Sequence, residues 1–397
     1  MSGVFARLVG QNAVEAELVA AARAARCEGT HSAMTHAWLI TGPPGSGRSI
    51  AALCFAAALQ CTSPGDPGCG QCRACTTTMA GTHADVRRIV PEGLSIGVKE
   101  MREIVQIASR RPGTGRWQVV VVEDADRLTE GAANALLKVV EEPPPSTVFL
   151  LCAPSVDPED ISVTLRSRCR HVALVTPRTE AIAGVLMDVD GLPEADAQWA
   201  ASVSGGHVGR ARRLATDPSA RERRQRALAL ARDAATRSRA FAAAEELVAS
   251  AESEAVALTA GRNEAEAEEL RTALGAGGTG KGATGALRGA AGVLKDLEKK
   301  QKSRQTRASR DALDRALMDL AGYFRDALMV ASGAGSVPAN HPDMADSAAK
   351  MAEHVPADRL LRCVEAVLRC REALELNVKP KFAVDAMVAT VGQALRN

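Results

Sequence analysis

Four cysteines lie close together in the chain, at positions Cys61, Cys69, Cys72 and Cys75. Their spacing is C-x7-C-x2-C-x2-C, and the prolines and glycines between them supply tight turns. Four thiolates this close match a tetrahedral structural Zn²⁺ site, in which no position stays open for catalysis. We therefore predict a structural zinc module over residues 61–75, with four free thiols as the alternative.

A glycine-rich segment, residues 42–49, has the spacing of the phosphate loop G-x-x-x-x-G-K-[ST], with Arg48 in place of the lysine. Its glycines let backbone N–H groups converge on an anion, and the following helix adds the positive end of its dipole. The hydroxyl of Ser49 could ligate Mg²⁺, but an arginine is forked and would not occupy the space of the lysine. We expect weak binding of ATP and Mg²⁺; a turn that binds nothing is the alternative. The predicted cofactor-binding residues of the loop are Gly42, Pro43, Pro44, Gly45, Ser46, Gly47, Arg48 and Ser49.

Acidic residues follow the apolar run at residues 119–122, namely Glu123 and Asp124. Such carboxylates beside a phosphate loop hold Mg²⁺ and activate water, usually in the order Asp and then Glu. Here the order is reversed, so Glu123 would reach a hydrated Mg²⁺ while Asp124 falls short as a base by about 1 Å, which can cost ~100-fold in rate. The alternative is a solvated acidic turn that caps the next helix.

Arginines cluster at residues 165–170, just past a third apolar run. An arginine at the rim of an α/β domain can complete the nucleotide site of a neighbouring subunit as an arginine finger. A basic rim that forms only surface ion pairs is the alternative, and the spacing alone favours it.

The elements that must position these groups alternate along the first part of the chain. Apolar runs without polar alternation indicate parallel strands buried on both faces, and the stretches between them have a helical pattern. This alternation predicts an α/β parallel-sheet domain over residues 1–175. The predicted strands are residues 38–41, 119–122 and 148–152, and the predicted helices are residues 49–59, 98–109 and 130–140.

The rest of the chain carries no strand signal. We predict a small helical lid domain over residues 176–234 and an all-helical collar domain over residues 235–397. Inside the latter, residues 258–308 contain a Gly/Ala/Thr-rich stretch and then a highly charged one. We interpret them as a flexible loop or a loosely held helix pair; a long surface helix broken by glycine is the alternative.

Composition excludes several classes of protein. Lys+Arg is 49 and Asp+Glu is 47, so the net charge of +2 argues against wholesale wrapping of nucleic acid. Aromatic residues are only 3%, which disfavours base-stacking platforms. The chain contains no run of about 18 apolar residues, so no membrane span is predicted. Its first residues lack the pattern of a secretory signal, so we expect a cytoplasmic protein whose thiols are reduced.

Together these residues resemble the bacterial DNA polymerase III clamp-loader subunits, AAA+ proteins of the gamma/tau and delta-prime kind. Residues 5–11 (FARLVGQ) resemble the box that borders the adenine pocket, and the cysteine cluster lies where these subunits carry theirs. Residues 134–144 (NALLKVVEEPP) are similar to the family's NALLKxLEEPP run, and residues 167–169 match its SRC motif. Residues 377–385 (NVKPKFAVD) resemble the last collar helix.

Three departures distinguish the chain from a gamma/tau motor. Arg48 replaces the lysine, Glu123 and Asp124 are swapped, and Gly209 stands where the lid has its sensor arginine, with Arg210 one residue along. The resemblance thus implies the delta-prime kind, a largely non-hydrolysing subunit. It implies gamma/tau and delta as partners, indirect contact with the sliding clamp, primer-template DNA within the complex, a place in the nucleoid-associated replisome, and Arg168 as the finger acting in trans.

Two competing hypotheses stay open. A catalytically active, gamma/tau-like ATPase would hydrolyse ATP on its own and lose that activity on Ser49→Ala. A zinc-dependent nucleic-acid-binding protein would bind DNA as a monomer with strong salt dependence.

Overall fold

The computed structural model describes residues 3–26, 34–273 and 283–396, with side chains from 292 onward in the last range. Contacts divide the chain into two compact units, Met1–Ala215 and Thr216–Asn397. The predicted lid, residues 176–234, therefore has residues on both sides of this division. Within the described ranges, no helix is long and apolar enough to cross a membrane.

The first unit is built on a parallel five-stranded sheet with the strand order β2-β3-β4-β1-β5. Its strands are β1 (Ala37–Thr41), β2 (Val86–Ile89), β3 (Gln118–Val122), β4 (Thr147–Ala153) and β5 (Arg170–Ala173). Its helices are α1 (Asn12–Ala24), α2 (Arg48–Gln60), α3 (Arg73–Met79), α4 (Val98–Ala108), α5 (Glu130–Glu141), α6 (Val163–Arg166), α7 (Thr179–Asp188), α8 (Glu194–Ser202) and α9 (Val208–Thr216). Short 3-10 helices cover Val4–Arg7 and Ala125–Arg127.

The unbroken valine run of β3 is explained by burial on both faces of the sheet. Val119 and Val121 pack into one hydrophobic core, and Val120 and Val122 pack into the other. Successive side chains of a strand point to opposite faces, so a strand covered on both sides needs apolar residues throughout. The predicted α/β class and its three central strands are thereby confirmed.

The two outer strands did not stand out in the sequence. β2 carries Arg87 and Arg88, and β5 carries Arg170 and His171. Both lie at the edges of the sheet, where charged side chains are tolerated and discourage pairing with another chain.

The second unit is wholly helical in its described residues, apart from loops. Its helices are α10 (Pro218–Ala234), α11 (Arg237–Ala273), α12 (Ala283–Ala331), α13 (Ala345–His354), α14 (Ala357–Glu375) and α15 (Pro380–Arg396), with a 3-10 turn at Pro342–Met344. Its core gathers around residues such as Leu317, Phe324 and Val384. The predicted all-α region that follows the α/β domain is confirmed.

The segment predicted as a flexible insertion, residues 258–308, coincides with the ends of two long helices. Residues 258–273 continue α11 and residues 283–308 begin α12, so the described part is a helix pair. Arg304 joins the two helices because its guanidinium donates to Glu266 at 2.8 and 3.0 Å. Residues 274–282 lie outside the described residues.

Candidate nucleotide and metal sites

The phosphate loop connects the end of β1 to the start of α2, as the motif predicts. Gly45 and Gly47 have φ values of 85° and 97°, in the left-handed region that favours glycine. A Cβ on residue 45 would lie 2.4 Å from the Cβ of His207, so only glycine fits beneath this histidine. The first N–H groups of a helix have no partner within it, so those of Arg48 and Ser49 are available to an anion.

Arg48 is bound to the loop itself. Its Nη1 donates to the carbonyl oxygen of Gly42 at 2.7 Å. One edge of the guanidinium therefore contacts the loop's own backbone, whereas a lysine at this position reaches toward phosphate. The arginine is compatible with a folded phosphate loop, but this donor is already used.

Two further loop residues bear on the fit to a phosphate group. Ser46 is buried, and its Oγ has no hydrogen-bond partner. The N–H of Ser46 donates to Pro43 O at 3.1 Å. This hydrogen bond and the adjacent Pro44 shape the turn. An orphaned hydroxyl within a glycine cradle fits a polar ligand better than an empty turn, because an unsatisfied buried polar group is costly.

A cavity of about 770 Å³ opens beside the loop. This volume lies within the range of small-molecule sites. Gly209, in the predicted lid, lies on its wall, while the N–H of Arg210 donates to His207 Nδ1 at 3.2 Å. Arg212, which the sequence did not single out, also lines the cavity and pairs with Asp190 at 2.7 Å. The loop side of the wall consists of Gly45, Ser46, Gly47, Arg48, Ser49 and Ile50, and the N-terminal segment adds Gly3, Ala6, Arg7 and Val9.

The side chain of Gln11 links the N-terminal segment to the phosphate loop. Gln11 Nε2 donates to Val175 O at 2.6 Å and to Ser46 O at 3.4 Å, and Gln11 Oε1 accepts from the N–H of Val175. Of residues 5–11, Ala6, Arg7 and Val9 line the cavity; that this segment borders an adenine pocket stays a prediction.

The acidic strand end contains an ion pair that the sequence did not predict. Glu123 follows β3, is 9% exposed, and contacts the guanidinium Nε of Arg88 on the neighbouring strand β2 through its Oε1. Asp124 has a φ of 52°, a left-handed conformation that aspartate tolerates. The carboxylate expected to approach a hydrated Mg²⁺ thus faces an arginine, so the described geometry does not fit a metal ion at Glu123.

The pKa shifts of Cys152 and Asp126 reflect several charged groups near the acidic residues that follow β3. Burial, Glu123 and Asp124 raise the pKa of the Cys152 thiol, while Arg48 and Arg88 oppose that rise. Burial, and next Asp124, raise the pKa of Asp126, whose Oδ1 is buried without a partner. Carboxylates and guanidinium groups from the loop, β2 and the end of β3 therefore lie around the end of β4.

The four predicted cysteine ligands come together. Cys61 directly follows α2, and Cys72 caps the start of α3. All four Sγ atoms lie within 4.8 Å of one another, and those of Cys61 and Cys72 are 4.0 Å apart. In a tetrahedral site with Zn–S bonds of 2.3 Å the sulfurs would be ~3.8 Å apart, so the cluster can hold a metal ion with little rearrangement.

Backbone N–H groups donate to two sulfur atoms of this cluster. The N–H of Cys72 donates to Cys69 Sγ at 3.3 Å, and that of Cys75 donates to Cys72 Sγ at 3.5 Å. Burial raises the pKa of Cys72, but the bond from Cys75 N–H and further hydrogen bonds outweigh it and hold that pKa at about 6. Burial raises the pKa of Cys75, which a bound cation would reverse.

Arg168 lies just past α6, at the surface. Its Nη1 donates to Thr164 O at 2.9 Å, and its Nη2 lies 2.5 Å from Glu141 Oε1 at the end of α5. The side chain of Arg168 is 35% exposed. The sequence placed the arginine at a rim but did not indicate Glu141, which belongs to the run at residues 134–144.

Two family models match the chain. One is described as DNA polymerase III, delta subunit, and matches residues 22–178; the other, DNA polymerase III, delta subunit, C terminal, matches residues 308–380. The chain is 41% identical over 145 residues to the DNA polymerase III subunit delta' of Escherichia coli, covering 36% of this chain and 43% of that protein. It is 32% identical over 207 residues to the subunit gamma/tau of Mycobacterium bovis, covering 51% of this chain and 34% of that protein.

These matches confirm the resemblance to DNA polymerase III clamp-loader subunits of the delta-prime and gamma/tau kind. The matched segments span less than half the length of either relative. With the parallel sheet and the phosphate loop, they also support the predicted AAA+ fold class.

Two solved structures resemble the chain distantly. A gamma subunit-related DNA polymerase III protein from Thermotoga maritima is 15% identical, with a TM-score of 0.45, and the match covers 96% of this chain and 100% of that one. The RuvB Holliday junction branch migration motor of the same organism is 19% identical, with a TM-score of 0.37 and coverage of 55% and 62%. At this level of similarity neither structure bears on function.

Proposed function

We propose that this relative of the delta-prime subunits is a largely non-hydrolysing component of the DNA polymerase III clamp loader. It supports ATP-dependent loading of the sliding clamp onto primed DNA. The observation that carries this proposal is the hydrogen bond from Arg48 Nη1 to Gly42 O. Through it, the guanidinium that stands in place of the lysine binds the loop's own backbone. The swapped Glu123 and Asp124 and the glycine at position 209 act in the same direction.

In this role, Arg168 completes the ATP site of a neighbouring gamma/tau subunit. A guanidinium is permanently charged and forked, which suits stabilisation of the charge that develops on transferring phosphate. Its contacts with Thr164 and Glu141 hold it at the surface before a partner arrives. Gamma/tau and delta are the direct partners, while the sliding clamp and primer-template DNA are engaged by the assembled complex.

The lid and collar domains have the roles that the resemblance implies. Residues 176–234 act as the lid domain, and residues 235–397 act as the collar through which subunits assemble. The chain acts in the cytoplasm, at the nucleoid-associated replisome.

Zinc is the metal of the cysteine cluster. Cys61, Cys69, Cys72 and Cys75 supply four sulfur ligands, which favour Zn²⁺ over harder cations and leave no open position. The ion secures the loop between α2 and α3 and takes no part in catalysis.

ATP binds the phosphate loop weakly. The glycine cradle, the start of α2 and the orphaned Ser46 hydroxyl favour a phosphate group. Without a lysine, and with Glu123 paired to Arg88, the site lacks the arrangement that would drive hydrolysis.

A gamma/tau-like ATPase is the second candidate, and the longer match to the gamma/tau relative favours it. Single-turnover hydrolysis by the purified chain separates the two functions. We expect no turnover above the background of a Ser49→Ala variant. Rapid hydrolysis that Ser49→Ala abolishes would instead identify a motor.

A further inference from the structure

A positively charged side chain already lies beside the acidic residues that follow β3. Arg88 lies on the edge strand β2, and its guanidinium contacts the carboxylate of Glu123 across the strand pair. The backbone keeps the two in register, because the N–H of Glu123 donates to Ile89 O at 2.9 Å. The pair is therefore fixed by the sheet.

This ion pair competes with a divalent metal for the same oxygens. A carboxylate that is 9% exposed needs a partner, because burial of an unpaired charge is costly. Mg²⁺ requires near-octahedral oxygen ligands at 2.0–2.1 Å and dehydrates reluctantly. Since a guanidinium cannot be deprotonated in a protein, it would also repel a second cation placed beside Glu123.

A second guanidinium, that of Arg48, lies close to the same carboxylates. Arg48 is anchored on Gly42 O, and the pKa of the Cys152 thiol responds to Arg48, Arg88, Glu123 and Asp124 together. Two cations and two carboxylates thus surround the end of β4, next to the loop. Positively charged groups therefore already lie among these carboxylates without an added ion.

We propose that Arg88 takes the place of the divalent cation at this site, so that a nucleoside triphosphate binds the loop without requiring Mg²⁺. This inference rests on the weak nucleotide binding proposed above. Arg88 neutralises Glu123 as a metal would, but it cannot orient water or phosphate oxygens by coordination. Binding without hydrolysis follows from that difference.

The test compares the equilibrium affinity of the full chain for ATP in Mg²⁺ and in EDTA. For the unaltered chain we expect the same dissociation constant in both. For Arg88→Gln, which frees Glu123 while keeping a polar side chain, we expect ATP to bind about tenfold more tightly in Mg²⁺ than in EDTA, a difference of ~1.4 kcal/mol.

Two variants control for charge and folding. Arg87→Gln removes the same charge from the adjacent position of β2, whose side chain points to the opposite face of the strand. Arg88→Lys keeps a cation beside Glu123. Both should bind ATP equally in Mg²⁺ and EDTA, and circular dichroism should report a folded chain in each case.

Titration with Mn²⁺, followed by electron paramagnetic resonance, gives a readout that does not depend on nucleotide. Uptake of Mn²⁺ by Arg88→Gln but not by the unaltered chain supports the inference, even if ATP binding itself is absent and that part of the proposed function fails. Tighter ATP binding by the unaltered chain in Mg²⁺ would overturn it. So would an Arg88→Gln chain that ignores both Mg²⁺ and Mn²⁺.

Discussion

Arg168 Nη2 lies 2.5 Å from Glu141 Oε1, although the two residues are 27 positions apart in the sequence of the first unit. Glu141 ends α5, and Arg168 follows α6. Both side chains remain partly exposed, at 35% for the arginine and 45% for the glutamate. An ion pair at such a surface contributes only ~0.2–1 kcal/mol to stability, so its value lies in orienting the guanidinium.

Glu141→Gln should therefore lower the ATPase rate of a reconstituted loader severalfold without unfolding the chain. The guanidinium keeps its bond to Thr164 O but loses its charged partner, and small displacements of a positioned group are costly in rate. Steady-state turnover measures the loss, and thermal unfolding should show an unchanged Tm. Glu142→Gln, at the adjacent exposed position, is the matched control. Unchanged turnover would remove Glu141 from this role.

Arg48→Lys should strengthen ATP binding by the isolated chain about tenfold, because a flexible ammonium is free to reach phosphate. Hydrolysis should stay absent, since Glu123 and Asp124 remain swapped. Equilibrium binding and single-turnover assays measure the two effects separately. An affinity that stays constant would show that the bond from Arg48 to Gly42 O does not limit binding.

Cys72→Ser should reduce the zinc content from about one equivalent to less than about half, because one of the four ligands is lost. It should also lower the Tm, since metal binding contributes to folding free energy. Elemental analysis and thermal unfolding provide the measurements. Cys169→Ser, outside the cluster, should retain the metal. An unaltered chain purified without zinc under metal-replete conditions would contradict the assignment.

Asp85 predicts a distinct dependence of stability on pH. Its carboxylate accepts hydrogen bonds from the N–H groups of Gly113, Thr114 and Gly115 at 2.6–2.8 Å. Burial opposes these bonds, but they outweigh it and lower the pKa of Asp85 to about 2 from its ordinary 3.8. The stabilisation is therefore complete above pH about 4 and is lost as the pH falls through about 2.

Asp85→Asn should accordingly lower the free energy of unfolding by ~1–3 kcal/mol at neutral pH. The difference in free energy of unfolding between the variant and the unaltered chain should narrow below pH about 4, where Asp85 of the unfolded chain becomes protonated. Denaturant titrations across this range measure it. Asp66→Asn, which removes an exposed partner of Arg23, should change little. A gap that stays constant with pH would exclude the carboxylate as the cause.

How much the sequence could predict depends on how local each feature is. The valines of β3 are buried on both faces, so an unbroken apolar run identified the strand. β2 and β5 lie at the edges of the sheet and carry charged side chains, so the same rule missed them. The cysteine cluster was found because its ligands occur within residues 61–75.

The spacing of residues within a motif does not predict contacts between residues that are far apart in the sequence. The sequence placed Glu123 at a strand end but gave no sign that Arg88, on another strand, would pair with it. It likewise gave no sign that His207 would lie over Gly45. Side-chain partners of this kind depend on how strands and helices pack, which a single motif does not encode.

The most direct test of the central claim is ATP turnover by a loader reconstituted with Arg168→Ala. Loss of an arginine finger lowers turnover by ~10³-fold or more, so we predict a collapse of the neighbouring subunit's ATPase while the complex still assembles. Arg166→Ala, which removes an exposed arginine two residues away, should leave turnover intact. Undiminished turnover by the assembled Arg168→Ala loader would contradict the account.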